Sequence, residues 1–363
     1  MQSTFQPTSF ARLSPGAARI VLAVTIAITL LFVAISLSPR AIGFADKPHT
    51  GGGDVDLYVA EIDRIAQGEN YYAAADRELH ERNYPTRSVF NWRTPLPMWL
   101  LGMLRSEPAR RTLIGALAGL LLAWGTVVAA REGGKLAGLL GGILLAGALM
   151  PCWLERVYVL PVIWAGLFIG LSLCAFATDC RRAGLLLGLS ALFLRELAAP
   201  YVAISLLLAA KERRWREATG WAIGMLLFFG FYYWHAMQVM AHVRPEDRAH
   251  AASWLQFGGA AFVIAISQMN AFFLLLPQWL TAIYLPLVLL GFAGWNTETG
   301  RRAGLAACGF VLLFAFVGQP FNQYWGSLVA PLFCFGAARS PAAIADLVRC
   351  CRVETLSHWE RAG

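Results

Sequence analysis

The stretch "GLLLGLSALFLRELAAPYVAISLLLAA", residues 184–210, reads as an apolar helix interrupted at its centre by Arg195 and Glu196. As a single membrane crossing it would put "TDCRR" (178–182) and "KERRWRE" (211–217) in opposite compartments. Basic connections gather on the cytoplasmic side of membrane proteins, so the charges favour a hairpin with Arg195-Glu196 at its vertex. Each arm then has about 12–14 residues, roughly 18–21 Å at helical rise and short of a ~30 Å hydrocarbon core. The vertex is recessed below the outer surface. An ionisable group at membrane depth costs at least ~2.5–3.5 kcal/mol unless it faces protein or water. The pair is therefore either a functional site or a mutually neutralising structural pair at a hairpin tip.

The remaining sequence fits a membrane setting. The chain has 363 residues, 58% hydrophobic and 14% charged, with a mean hydropathy of +0.55. That leaves too little polar surface for a water-soluble globule. The run Ala17 to Leu37 is long enough to span, and with no small-residue cleavage site after it reads as a retained helix rather than a signal peptide. Further spans are expected near 112–130, 136–152, 157–177, 183–194, 197–210, 218–240, 271–293, 303–318 and 325–338. The expected fold class is all-α: a polytopic transmembrane helix bundle of about ten spans, some short or re-entrant, forming a single integral-membrane domain over 1–363. With Arg12 and Arg19 inside, "REGGK" (131–135), "TDCRR", "KERRWRE", "NTETGRR" (296–302) and a tail over 339–363 all fall in the cytoplasm, as do both termini. Residues 39–110 form a large extracytoplasmic loop with interfacial helices. The 30 Lys and Arg outnumber the 22 Asp and Glu, but they lie between apolar runs. Topology and contact with membrane lipid explain them, and nucleic acid is not an expected partner. The seven cysteines avoid the long polar loop and form no CxxC, and the six histidines have no HExxH or paired spacing. Neither a disulfide framework nor a zinc site follows.

Candidate chemistry concentrates on the outer side. In "GGGDVDLYVAEIDRIAQG" (51–68), Val55, Tyr58, Val59, Ile62, Ile65 and Ala66 recur at helical spacing, predicting an amphipathic helix on the outer membrane face. Gly51, Gly52 and Gly53 let the chain turn into it. Asp54 falls at the edge of the apolar stripe on the side of Tyr58, whereas Asp56 and Asp63 lie roughly opposite. Asp54 is thus either a reacting carboxylate or an N-cap, with Asp56 complementing the positive helix end. Glu155 and Arg156 form a second acid-base pair, either a site or a snorkelling boundary pair. "FNWRTPLPMWLLG" (90–102) joins Trp92 and Arg93 to an apolar segment too short to span, as in a half-inserted helix. "QPFNQYWG" (319–326) presents Asn322, Gln323, Tyr324 and Trp325, which suit sugar hydroxyls and ring faces or, equally, an aromatic belt. The glycines of "GGKLAGLLGG" (133–142) read as close helix packing rather than a phosphate loop.

The order of these elements resembles bacterial integral-membrane glycosyltransferases of the GT-C superfamily. The likeness rests on a first membrane helix, a "GD...Y" amphipathic helix ending in Gly, an "NWRTPLP" return, an "LRELAAPY" hairpin and a late "FNQYWG" loop. It implies a GT-C-like fold in the bacterial inner membrane and a polyprenyl-phosphate sugar donor. It also implies transfer on the outer side with inversion, to a glycan, lipid or protein acceptor, using a first-loop aspartate as base. Asp54 matches that aspartate best, and Asp56 is the reserve. Arg195 would bind the departing phosphate, Glu196 would orient Arg195 or an acceptor hydroxyl, and Tyr58, Arg93, Glu155, Arg156, Asn322, Gln323 and Tyr324 would contact substrate. "DVD" departs from the adjacent acidic pair often seen in the superfamily, leaving metal use open between none and a divalent cation such as Mg or Mn. The alternative is a transporter or flippase for a lipid-linked sugar or other envelope intermediate, with Arg195-Glu196 lining its path. The sequence has no internal symmetry, and its polar candidates collect on one side, which favours the enzyme.

Overall fold

A computed structural model describes residues 6–42, 53–249 and 255–359, with 353–359 as backbone alone. Gly51, Gly52, His49 and His250 lie outside the described residues. Fifteen α-helices follow one another. They are α1 (Pro15–Ser36), α2 (Gly53–Ala66), α3 (Tyr71–Glu81), α4 (Pro95–Met103), α5 (Glu107–Gly133), α6 (Lys135–Leu149), α7 (Pro161–Ala177) and α8 (Arg181–Leu194). There follow α9 (Ala199–Lys211), α10 (Trp215–Met240), α11 (Gly259–Ser267), α12 (Ala271–Leu274), α13 (Gln278–Ala293), α14 (Glu298–Phe316) and α15 (Ala330–Trp359). Among the described residues the only extended pairing is an isolated bridge between Leu255 and Val317.

Local chemistry sets the helix starts. Ser14, Ser106 and Thr297 cap α1, α5 and α14 by accepting from the amides of Ala17, Ala109 and Gly300. Proline in the first turn of α1, α4, α5, α7 and α9 supplies a preset φ where no amide is needed. The bundle is apolar inside and out. Helix α7 is buried along almost its whole length and forms the centre. Helix α1 buries only Ala18 and exposes Ile20, Val24, Leu30 and Leu31, a surface that calls for lipid rather than water. Among the described residues four helices are long and apolar enough to cross a membrane, or five if Pro320–Leu328 and Ala330–Arg352, bent by 69°, count as one span.

Two expectations need correction. The segment 271–293 is not one helix: Asn270 caps the short α12, and Pro277, with no amide to donate, separates it from α13. Residues 259–267, which the sequence offered no span, form the buried helix α11.

The chain reverses between α8 and α9. Arg195 has extended dihedrals (φ −154°, ψ 119°) and ends α8, and a 3-10 turn over Glu196–Ala198 leads into α9. The far ends of the two arms meet. Arg181, at the start of α8, pairs with Glu217 near the start of α10 at 2.9 Å and with Glu298 of α14 at 2.5 Å. Arg214 reaches the same two carboxylates at 3.2 and 2.9 Å. At the centre Arg302 is fully buried, 3.0 Å from Glu217, with its guanidinium 3.7 Å above the Phe176 ring. These charges hold the far ends of both arms at one end of the bundle, so Arg195 lies toward the opposite end.

Arg302→Gln would leave Glu217 and Glu298 short of one compensating charge and empty the face of Phe176. Loss of one partner from a buried network costs about 3–5 kcal/mol. The expected result is a clearly lowered thermal midpoint in detergent or nanodiscs, only partly restored by Arg302→Lys, which returns the charge but not the planar stack.

Candidate active site

At the end that holds Arg195, α2, α3 and α4 pack on one another, and α4 with the loop before it meets the end of α8 at the hairpin tip. Gly53, at φ +75°, admits the chain into α2, a conformation that costs glycine nothing. Leu57, Tyr58, Glu61 and Ile62 form the buried face of α2. Asp54 precedes Tyr58 by one turn on that face. Its carboxylate accepts a hydrogen bond from the Tyr324 hydroxyl at 2.5 Å on Oδ2 and from the Tyr84 hydroxyl at 3.2 Å on Oδ1. A capping role for Asp54 therefore gives way to a carboxylate held by two side chains from distant segments.

Two guanidiniums stand beside it. Arg93 donates from Nε to the Tyr58 hydroxyl at 2.7 Å and from a terminal nitrogen to the Phe90 carbonyl at 3.0 Å. Arg195, 3% exposed, pairs with Glu196 at 3.0 Å and lies over the Trp325 ring at 5.5 Å, while its buried Nε has no partner. Thr94 donates to the Phe193 carbonyl at 3.5 Å, which fastens the Arg93 loop to the end of α8 next to Arg195. Burial raises the Tyr58 hydroxyl well above its ordinary pKa; Arg93 and Arg195 pull it down, and Asp54 and Tyr324 push it up. One small region thus gathers Asp54, Tyr58, Arg93, Arg195, Glu196 and Tyr324.

The other candidates sit elsewhere. Asp56 points to the far side of α2 and pairs with Arg156 at 2.8 Å. Arg156 is therefore not joined to Glu155, which is exposed. Asp63 pairs with Arg110 at 3.1 Å, and Arg110 also donates to the Leu101 and Leu104 carbonyls, locking α2, α4 and α5 together. Asn322 and Gln323 are buried, and Asn322 accepts from the Gln319 amide at 2.9 Å, shaping the turn that delivers Tyr324. A Cβ on Gly326 would collide with the Ile266 carbonyl, so glycine there lets this turn seat against α11.

Sequence reasoning missed Tyr84 and left Glu61 without a role. Tyr84 stands between α3 and α4 with no periodicity to mark it. Glu61 was visible as the residue seven after Asp54, which returns to the same helix face. Cations and hydroxyls surround Asp54, and no three His, Cys, Asp or Glu gather among the described residues.

The fold and site define an all-α bundle with lipid-facing apolar helices and a charged cluster at one end. No family model and no curated protein matches the chain. Two solved structures are similar to it. One is the crystal structure of ArnT from Cupriavidus metallidurans in the apo state, at 15% identity and a TM-score of 0.47, covering 90% of this chain and 60% of that one. The other is ArnT from the same organism bound to undecaprenyl phosphate, at 14% identity and a TM-score of 0.49, covering 87% of this chain and 59% of that one. The chain thus matches about 60% of the length of those structures.

The loop after α10 is latched to α3. His80 of α3 contacts Asp247 at 2.8 Å and the Asp76 carboxylate at 3.1 Å, and Arg244 pairs with Asp76 at 2.6 Å. Burial alone would lower the His80 pKa, but the hydrogen bonds to Asp247 and to the Asp76 carbonyl, with the Asp76 charge, raise it above 6.5. A histidine raised on folding stabilises most below its unfolded pKa, and that contribution fades as pH rises through the folded value. Hydrogen exchange over 242–249 is expected to speed up as pH rises past that point, after correction for intrinsic rates. In His80→Gln this pH step should be absent.

Proposed function

We propose that this protein is an integral-membrane glycosyltransferase of the bacterial inner membrane. It transfers a sugar from a polyprenyl-phosphate donor to an acceptor hydroxyl on the extracytoplasmic side, with inversion. The observation that carries this reading is the Asp54 carboxylate, fixed by Tyr84 and Tyr324 and flanked by the guanidiniums of Arg93 and Arg195. Outside the cell nucleotide sugars are absent, so a sugar must arrive on a lipid carrier, and a phosphate leaving group calls for cations.

Asp54 is the base. An ionised carboxylate offers about four lone-pair sites, and the two tyrosines leave room for an acceptor hydroxyl. As that oxygen bonds to the anomeric carbon, its proton passes to Asp54. The bond from the anomeric carbon to the phosphate oxygen breaks, and its electron pair leaves with the polyprenyl phosphate, which gains one negative charge. A single displacement inverts the centre. Arg195 meets the growing charge with its unpartnered Nε, and its pairing with Glu196 fixes the guanidinium plane. The apolar surroundings strengthen this attraction and keep water from competing. The acceptor is a glycan, lipid or protein hydroxyl. Asp56, tied to Arg156, takes no part.

Asp54→Asn keeps the volume and removes the base. Turnover of labelled polyprenyl-phosphate sugars by correctly inserted protein is expected to fall about 10²–10⁴-fold. A normal rate would remove Asp54 from the mechanism. Arg195→Ala should lower kcat/KM about 10²–10³-fold, the size of effect seen when a charge-stabilising donor is lost. If both variants transferred sugar normally, the site would lie elsewhere.

A further inference from the structure

Glu61 is a buried acid that the mechanism leaves unused. It follows Asp54 by seven residues and Tyr58 by three, and is 2% exposed. At ~1.5 Å per residue the two carboxyls stand roughly 10 Å apart along one helix face. Between them Arg93 is bound to Tyr58. The two carboxyls have opposite surroundings. Asp54 receives two hydroxyl donors, whereas the Glu61 Oε2 is buried with no hydrogen-bond partner. A carboxylate left without donors in such a place is costly, and a neutral carboxylic acid is not.

We propose that Glu61 is a positioning residue whose carboxyl holds a proton in the resting protein, leaving the Arg93 guanidinium uncommitted and available to the donor's phosphate. Arg93 fits this part. It lies within ion-pairing distance of no carboxylate among the described residues, and its two recorded bonds are to the neutral Tyr58 hydroxyl and the Phe90 carbonyl. Were Glu61 ionised, Arg93 would lie between two anions, and its charge would be spent before substrate arrived.

The groups facing Glu61 set this balance. From α2 come Asp54 and Tyr58, from α3 come Tyr71 and Glu78, from the residue that caps its end comes Arg82, and from the loop before α4 comes Arg93. Helix α4 carries no titratable side chain. Arg156 and Tyr158 face the other side of α2, beside Asp63. Glu78 stays ionised between Arg64 at 2.5 Å and Arg82 at 3.0 Å, so it takes up no proton in place of Glu61 and repels a second anion. Burial pushes the Glu61 carboxyl up to about 8; Arg93 and Arg82 oppose this, and Glu78 and Asp54 reinforce it.

The use of Arg93 rests on the glycosyltransferase reading, and the experiment separates the two. Undecaprenyl phosphate is titrated into the full chain in nanodiscs between about pH 7 and pH 9.5, where the phosphate's own ionisation (pKa ~6) is nearly complete. Wild-type affinity is expected to weaken about tenfold across this range as Glu61 loses its proton, while Glu61→Gln stays level and matches wild type at neutral pH. Parallel profiles, or loss of affinity in Glu61→Gln at neutral pH, would overturn the inference. Glu61→Met, a second neutral side chain, serves if the amide variant does not fold. Should wild type bind no undecaprenyl phosphate at any pH, the glycosyltransferase reading fails instead. The proton is then read directly by infrared difference between wild type and the variant. A carboxylic-acid carbonyl band present at neutral pH and lost in alkali supports it, and its absence overturns it.

Discussion

The hydroxyls of Tyr84 and Tyr324 donate to one carboxylate, that of Asp54, from positions 30 and 270 residues away along the chain. Asp54 is half-buried, and these two hydroxyls supply hydrogen-bond donors that hold its carboxylate in place. In doing so they fix the start of α2, the loop after α3 and the turn before α15 against one another. The same contacts that hold the charge therefore also shape the cleft around it. Arg93 and Arg195 complete the region, each brought there by a backbone feature: the loop fastened by Thr94 to Phe193, and the break at the end of α8.

The opposite end of the bundle makes this geometry durable. Arg181, Arg214 and Arg302 share Glu217 and Glu298, so the starts of α8, α10 and α14 are bound into one network. Since α8 begins there and α9 returns there, the tip between them is pushed to the other end of the bundle. One set of charges thus sets the position of another across the width of the bundle. Within an apolar medium such pairing is well defined, because each unpaired ion carries a large desolvation cost.

Much of this is legible in the sequence. The hairpin reading of 184–210 followed from charges on its flanks, and the ion pairs at those flanks join as that reading requires. The helical face of α2 placed Asp54 beside Tyr58 and turned Asp56 and Asp63 away, as observed. Periodicity works here because a helix maps sequence spacing directly onto direction. Where no helix carries the residue, the method has nothing to measure. Tyr84 lies in such a stretch. The division of 271–293 was also hidden, since apolar length alone does not separate one helix from two around a proline.

Sequence by itself determined the apolar setting, the helical class and the reversal at Arg195. These depend on composition, on apolar run length and on the placement of charge, which are additive along the chain. Tertiary structure alone decided which partner each charge received. Arg156 went to Asp56 rather than to its neighbour Glu155, Tyr324 rather than Asn322 or Gln323 reached Asp54, and the Oε2 of Glu61 was left without a donor. Such choices turn on differences of a few ångströms between segments far apart in sequence, where Coulomb and hydrogen-bond energies change steeply and spacing along the chain carries no record of them.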